Sequence, residues 1–166
     1  MTKSDSRVAV YTGSFDPITL GHLNVIERSS RLVDTLIVGI GTNIDKQALF
    51  TADERAEFVE RCTKPLGNVQ VRQFSGLAVQ FVRDCGSRVI IRGVRSLSDM
   101  DTEFTMTLAN RKLDPGIETV FLMADEEFSH VSSSLIKQIT PLASDEELAR
   151  FIPSEIIPDL RAKLNA

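Results

Sequence analysis

Val8-Ala9-Val10-Tyr11-Thr12-Gly13-Ser14-Phe15-Asp16-Pro17-Ile18-Thr19-Leu20-Gly21-His22 runs from an apolar segment through a polar turn into the start of a helix. Val8–Tyr11 is short and β-prone, and it stops at Gly13 ahead of polar residues and Pro17, as a buried first strand does. Beyond Gly21, the apolar residues Leu23, Val25, Ile26 and Leu32 recur among Glu27, Arg28 and Arg31, the spacing of a helix packed by one side. A buried strand feeding a one-sided helix is the first unit of an alternation that the rest of the sequence continues.

Thr35–Ile40 is apolar enough to be a strand buried on both faces, as parallel strands usually are. Thr51-Ala52-Asp53-Glu54 has the spacing of a capping box and opens a helix carrying Ala56, Phe58, Val59 and Cys62. Pro65-Leu66-Gly67-Asn68 breaks that helix, and Val69–Phe74 alternates as a third strand. A helix from near Leu77 to Cys85 is closed by Gly86, and Val89-Ile90-Ile91 forms a fourth strand that runs into Arg92-Gly93-Val94-Arg95. Ser98 and Asp99 are candidate N-caps for a helix reaching about Leu113. After the turn at Asp114-Pro115-Gly116, Glu118–Met123 supplies a fifth strand, and the segment from about residue 132 reads as helical, with a second capping box at Ser144-Asp145-Glu146-Glu147. The pattern predicts one domain over residues 1–166, an α/β doubly wound, mostly parallel five-stranded sheet of Rossmann-like form, because parallel neighbours require crossover helices. In such folds ligands gather beyond the carboxyl ends of the strands, so the loops after Tyr11, Ile40, Phe74, Ile91 and Met123 should face the site.

Composition narrows the function classes. The 166 residues are 42% hydrophobic, enough for a single core. No stretch approaches the roughly 20 apolar residues that span a bilayer, and the first residues lack a secretory core, so a soluble cytoplasmic protein without a membrane partner is expected. Cys62 and Cys85 fall in different predicted helices, which suggests two buried reduced thiols and neither a zinc site nor a disulfide. A net charge of -4 argues against a general nucleic-acid surface, while local cations can still grip small phosphates.

Between the first strand and first helix, a glycine-permitted turn, two hydroxyls and a helix N-terminus meet, a combination suited to phosphate. Neither a Walker A pattern nor GxGxxG is present. In isolation His22 would be a structural histidine more often than a functional one; its place in the first turn of this helix favours function. Taken alone, Lys46, Arg92, Arg95 and Glu103 would be solvated charges and Ser132-Ser133-Ser134 a helix cap. Arg92 and Arg95, though, lie immediately beyond a buried strand, where the crevice is expected.

Thr19-Leu20-Gly21-His22 matches the TxGH form of the (H/T)xGH motif, and with Gly13-Ser14-Phe15-Asp16-Pro17 it resembles the nucleotidylyltransferase superfamily. Phe50-Thr51-Ala52-Asp53-Glu54-Arg55, Ile91-Arg92-Gly93-Val94-Arg95, Asn110-Arg111 and Val131-Ser132-Ser133-Ser134-Leu135-Ile136-Lys137 follow in the order found in the bacterial phosphopantetheine adenylyltransferases, a resemblance running from about Val8 to Leu164. It implies attack of the 4′-phosphate of phosphopantetheine on the α-phosphorus of ATP, with Mg2+ assisting, in a homohexamer. It also implies roles: His22 donates to the α-phosphate, and Ser14 and Lys46 place the acceptor phosphate, with Arg92 and Ala78 on the acceptor side. ATP would meet Ser14, Phe15, His22, Gly93, Arg95, Glu103, Val131, Ser132, Ser133 and Ser134. No direct metal ligand is implied, and Asp16 is expected to shape the turn or to assist the metal indirectly. Thr12, Ile44, Gln47, Ala48, Thr102 and Phe128 depart from the commonest pattern of the family. A sister enzyme acting on nicotinate mononucleotide, or a silent nucleotide-binding protein, would share parts of this motif set.

Overall fold

The computed structural model describes residues 7–42 and 47–164. Its elements alternate as β1 Val8–Gly13, α1 Leu20–Ser30, β2 Thr35–Thr42, α2 Ala52–Thr63, β3 Val69–Ser75, α3 Ala78–Asp84, β4 Val89–Val94, α4 Leu97–Leu113 and β5 Glu118–Met123. Short helices α5 Ser133–Ile139, α6 Asp145–Leu148 and α7 Ile157–Leu164 follow, with 3-10 turns at Glu126–Phe128 and Ser154–Ile156. All strand pairs are parallel and the sheet order is β3-β2-β1-β4-β5, so the direction of winding reverses between β1 and β4. This is the doubly wound five-stranded sheet expected, and it is wholly parallel.

Strand side chains alternate between two apolar clusters, as a pleated strand requires. Ala9, Tyr11, Leu36, Val38, Ile40 and Ile91 join the larger cluster with Val25 and Ile26 of α1, Phe58 and Val59 of α2 and Leu160 of α7. Val10, Ile37 and Ile90 face the other way, onto Val79, Phe81 and Val82 of α3. Each fully buried Ile or Leu in these layers contributes about 1.5–3 kcal/mol relative to exposure.

Several boundaries differ from the sequence reading. β1 runs on through Gly13 because Thr12 and Gly13 stay paired with Gly39 and Ile40, and β4 reaches Val94 through pairing with Met123. The N-cap of α4 is Ser96, whose hydroxyl accepts from the Asp99 N–H at 3.2 Å, so Ser98 and Asp99 lie inside the first turn. Leu32 falls beyond α1 and is exposed. Cys62 is buried, but Cys85 caps the C-terminus of α3 and is only half-buried, with an Arg72 guanidinium nitrogen 3.8 Å from its sulfur. Both thiols are free, and burial pushes that of Cys62 up to about 12. No helix among the described residues is long and apolar enough to cross a membrane.

Candidate active site

A cavity of about 350 Å³ opens at the carboxyl ends of β1 and β4, where the strand order reverses. That is the place a doubly wound sheet offers a ligand. Its walls come from the exits of β1, β4 and β5 and the first turns of α1, α4 and α5.

The β1 exit is built around Phe15. This residue has φ 48, a left-handed conformation that is costly for a side chain of its size, and its ring is fully buried. The ring sits edge-on to Tyr11 at 5.4 Å and to His22 at 5.0 Å, so Phe15 is a floor beneath His22, and it is absent from the cavity wall. A Cβ at Gly13 would stand 2.9 Å from that ring, which is why the turn needs glycine there. Ser14 is exposed at the cavity edge.

His22 occupies the third position of α1 and completes a capping box with Thr19: its N–H donates to the Thr19 hydroxyl at 3.2 Å, and the Thr19 N–H donates to His22 Nδ1 at 3.1 Å. Accepting at Nδ1 leaves the ring proton on Nε2. Burial, reinforced by the charges of Arg95 and Arg92, pushes the imidazole down to about 4. His22 therefore lines the cavity as a neutral Nε2–H donor and a poor base.

Both arginines at the β4 exit are held by carboxylates. Arg92 pairs with Glu103 through Nε and Nη2, each at 2.6 Å, while its Nη1 donates to the Thr12 hydroxyl at 3.1 Å and to the Thr12 carbonyl. Arg95 pairs with Asp99 through Nε at 2.9 Å and Nη2 at 3.2 Å, and its Nη1 donates to the Val131 carbonyl at 2.6 Å. The hydrogen bond from Arg95 holds the Asp99 carboxyl below the usual carboxylate range. Between them Gly93 allows close approach, since a Cβ there would lie 2.9 Å from a Val25 methyl and 3.3 Å from the Tyr11 hydroxyl. Burial pushes the Tyr11 phenol up to about 12, leaving it a protonated donor on the wall.

The third wall is Val131-Ser132-Ser133-Ser134. Ser132 is the N-cap of α5, accepting from the Leu135 N–H at 3.1 Å, and Ser133 donates to the Pro17 carbonyl at 2.8 Å, tying this helix start to the β1 loop. Beneath the loop, Asp16 accepts from the N–H groups of Leu49 and Phe50, both at 2.9 Å, and from the Lys137 ammonium at 2.6 Å. Burial pushes its carboxyl up, but these donors outweigh that and leave it below its usual range. Asp16 thus ties the β1 loop to the segment ahead of α2 and to α5.

The cavity gathers Ser14, His22, Arg92, Gly93, Arg95, Glu103 and Val131 to Ser134 from five separate segments. It leaves out the Phe15 ring and Ala78, which begins α3 beyond the edge strand β3. Lys46 lies outside the described residues. Thr102 is on the wall, whereas Phe128 packs beside Gly21. Tyr11, Thr12, Thr19 and Asp99 also line the cavity, though the sequence pattern assigned none of them a binding role. Two of these had a readable signal: Thr19 and His22 have capping-box spacing, and Arg95 and Asp99 are four apart at a helix start. No group of three or more metal-binding side chains occurs among the described residues. With neutral donors, two arginines and helix N-termini converging, the arrangement suits a polyanion and transfer chemistry that needs charge stabilisation more than a base.

The cytidylyltransferase-like family model matches residues 10–139. A phosphopantetheine adenylyltransferase from Rhodopirellula baltica is 61% identical over 160 residues, covering 96% of this chain and 89% of that protein. One from Clostridium botulinum is 48% identical over 159 residues, covering 96% of each. Among solved structures, a protein assigned as a nicotinate-nucleotide adenylyltransferase from Vibrio parahaemolyticus aligns with a TM-score of 0.67 at 16% identity, covering 93% of this chain and 98% of the other. A lipopolysaccharide core biosynthesis protein from Thermoplasma volcanium aligns at 0.51 and 22% identity, covering 72% and 97%. Those two likenesses show the fold. The family model and the near-full-length identity to the enzymes from Rhodopirellula and Clostridium place the chain in the phosphopantetheine adenylyltransferase family of cytidylyltransferase-like nucleotidyltransferases.

Proposed function

We propose that this chain transfers the adenylyl group of ATP to 4′-phosphopantetheine, giving dephospho-coenzyme A and pyrophosphate, a step of coenzyme A biosynthesis. The observation that carries the reading is His22, a neutral Nε2–H donor facing the same cavity as Arg95 and Ser132 to Ser134, in a chain of this family. An oxygen of the acceptor phosphate forms a bond to the α-phosphorus while the bond from that phosphorus to the α,β-bridging oxygen breaks, and pyrophosphate leaves with the electron pair. A phosphate monoester has its second pKa near about 6, so the nucleophile is already largely dianionic at neutral pH and requires no base. Placement and charge stabilisation do the rest.

Each side chain takes a part that follows from its position. His22 donates to the α-phosphate oxygens, and Arg95 with Ser132, Ser133 and Ser134 binds the departing phosphates. Ser14, Lys46 and Arg92 serve the acceptor phosphate. Glu103 and Gly93 border the nucleotide, and Ala78 lies toward the pantetheine arm. Mg2+ would be held by the ATP phosphates and would neutralise their charge: among the described residues Asp99 and Glu103 on the wall and Asp16 beneath the loop are each paired with a cation, and magnesium commonly stays on substrate phosphates with several waters. ATP supply and free thiols suit action in the cytoplasm.

Assembly into a homohexamer belongs to the same proposal. All 17 residues of α4 remain unburied in the single chain, and Phe104, Met106, Leu108 and Leu113 are each more than half exposed, with Val120 and Met123 of β5 also exposed. Such a surface suits a second copy.

Purified protein with ATP and Mg2+ should release pyrophosphate on addition of 4′-phosphopantetheine, and much less with nicotinate mononucleotide. Preference for the mononucleotide would reassign the acceptor, and silence with both would leave a binding protein.

A further inference from the structure

Arg55 ends the Phe50–Arg55 stretch that the reaction as proposed does not use. It is only 5% exposed, yet its charge meets no carboxylate within salt-bridge distance among the described residues. Its hydrogen bonds there all go to carbonyl oxygens. Nε donates to Phe50 at 3.2 Å and Thr51 at 3.3 Å, and Nη1 donates to Ser14 at 2.7 Å and Gly41 at 3.0 Å. One guanidinium thus joins the exit of β1, the carboxyl end of β2 and the start of α2.

Burying a cation without a partner charge is costly, and apolar packing would hold three elements together at lower cost. What a guanidinium adds is a rigid fork whose donors satisfy several carbonyls at fixed angles. Two of those carbonyls lie at neighbouring strand ends, and one belongs to Ser14 itself. We infer that Arg55 is a positioning residue for the acceptor phosphate: it sets the location of the Ser14 backbone relative to the end of β2, and so the place where the attacking phosphate is received. This rests on the reading that Ser14 meets that phosphate. On the nucleotide side, Arg95 and Ser132 to Ser134 follow β4 and begin α5 and none of them bonds to Arg55; among the described residues their one tie to the β1 loop is Ser133 to the Pro17 carbonyl, three residues beyond Ser14.

The test uses Arg55→Lys, which keeps the charge and loses the fork, with Arg55→Met beside it. In the lysine variant, kcat/KM for 4′-phosphopantetheine should fall about 10- to 100-fold, the scale on which small misplacements act. The ATP Kd should stay within about twofold of the parent. Equal loss for both substrates would mark Arg55 as general scaffolding and overturn the inference, as would no loss for either. If the variants do not fold, the parent protein still decides. The Arg55 Nε–H resonance should shift when 4′-phosphopantetheine binds and stay in place with a non-hydrolysable ATP analogue; the reverse pattern, or no shift, overturns the assignment. A parent enzyme that does not turn over 4′-phosphopantetheine would overturn the proposed function, and this inference with it, before any variant is made.

Discussion

At His22 the Thr19 N–H fills Nδ1, and burial beside Arg95 and Arg92 removes the charged form, so one tautomer of one protonation state faces the cavity. The His22 ring in the ligand-free enzyme should therefore titrate with a midpoint near 4 by NMR; a midpoint near 6.5 for His22 would contradict the buried, capped geometry. The stability consequence has a definite sign. The unfolded chain takes up this proton at about 6.5 and the folded chain only near 4, so stability falls as pH drops through that window and is unaffected above it. His22→Gln should flatten that part of the stability profile. His22→Ala should lower kcat by about 10²–10³-fold, as loss of a preorganised donor does, with little change in ATP affinity. Arg95→Ala should instead weaken ATP by at least about tenfold, read as Kd by calorimetry, because a charge-assisted phosphate contact is lost from both ground and transition states. The candidate residues were legible because TxGH and the serine run are local in sequence. The tautomer was not, since it depends on a hydrogen bond whose direction only the folded backbone shows.

Asp16 acts between elements. It joins the β1 loop to the N–H groups ahead of α2 and to Lys137 of α5, so Asp16→Ala should destabilise the fold by about 2–3 kcal/mol, the loss expected for hydrogen bonds to a charged group that leave donors unpaired. Urea unfolding checks it. Because the folded carboxyl lies below its usual range, its contribution is present above the ordinary carboxylate value of about 3.8 and is lost as pH falls through the folded value. Capping boxes at Thr51 and Ser144 were legible to the residue, because three-residue spacing and hydroxyl chemistry define them. The start of α4 was not: Ser96, Ser98 and Asp99 are all good caps, and the choice falls to Ser96 because Asp99 is drawn to Arg95.

In the whole molecule, alternation of strand and helix made a parallel sheet legible, while the order β3-β2-β1-β4-β5 was not, since each strand's periodicity is silent about its neighbour. The same holds for α4, whose exposed apolar residues carry no helical stripe that a sequence reading could assign to a partner. Phe104→Glu with Leu108→Glu should reduce the sedimentation mass toward that of a single chain, whereas unchanged mass would place any assembly surface elsewhere. The reversal of winding between β1 and β4 has one more consequence. It puts the cavity at the ends of the central strands β1 and β4 and leaves the start of α3, with Ala78, beside the edge strand β3, two strands from β1. If the proposed roles hold, reactivity and acceptor choice are inherited on separate pieces of chain, so a descendant could exchange the turn for another and acquire a new customer for the same adenylyl group without rebuilding the centre that transfers it.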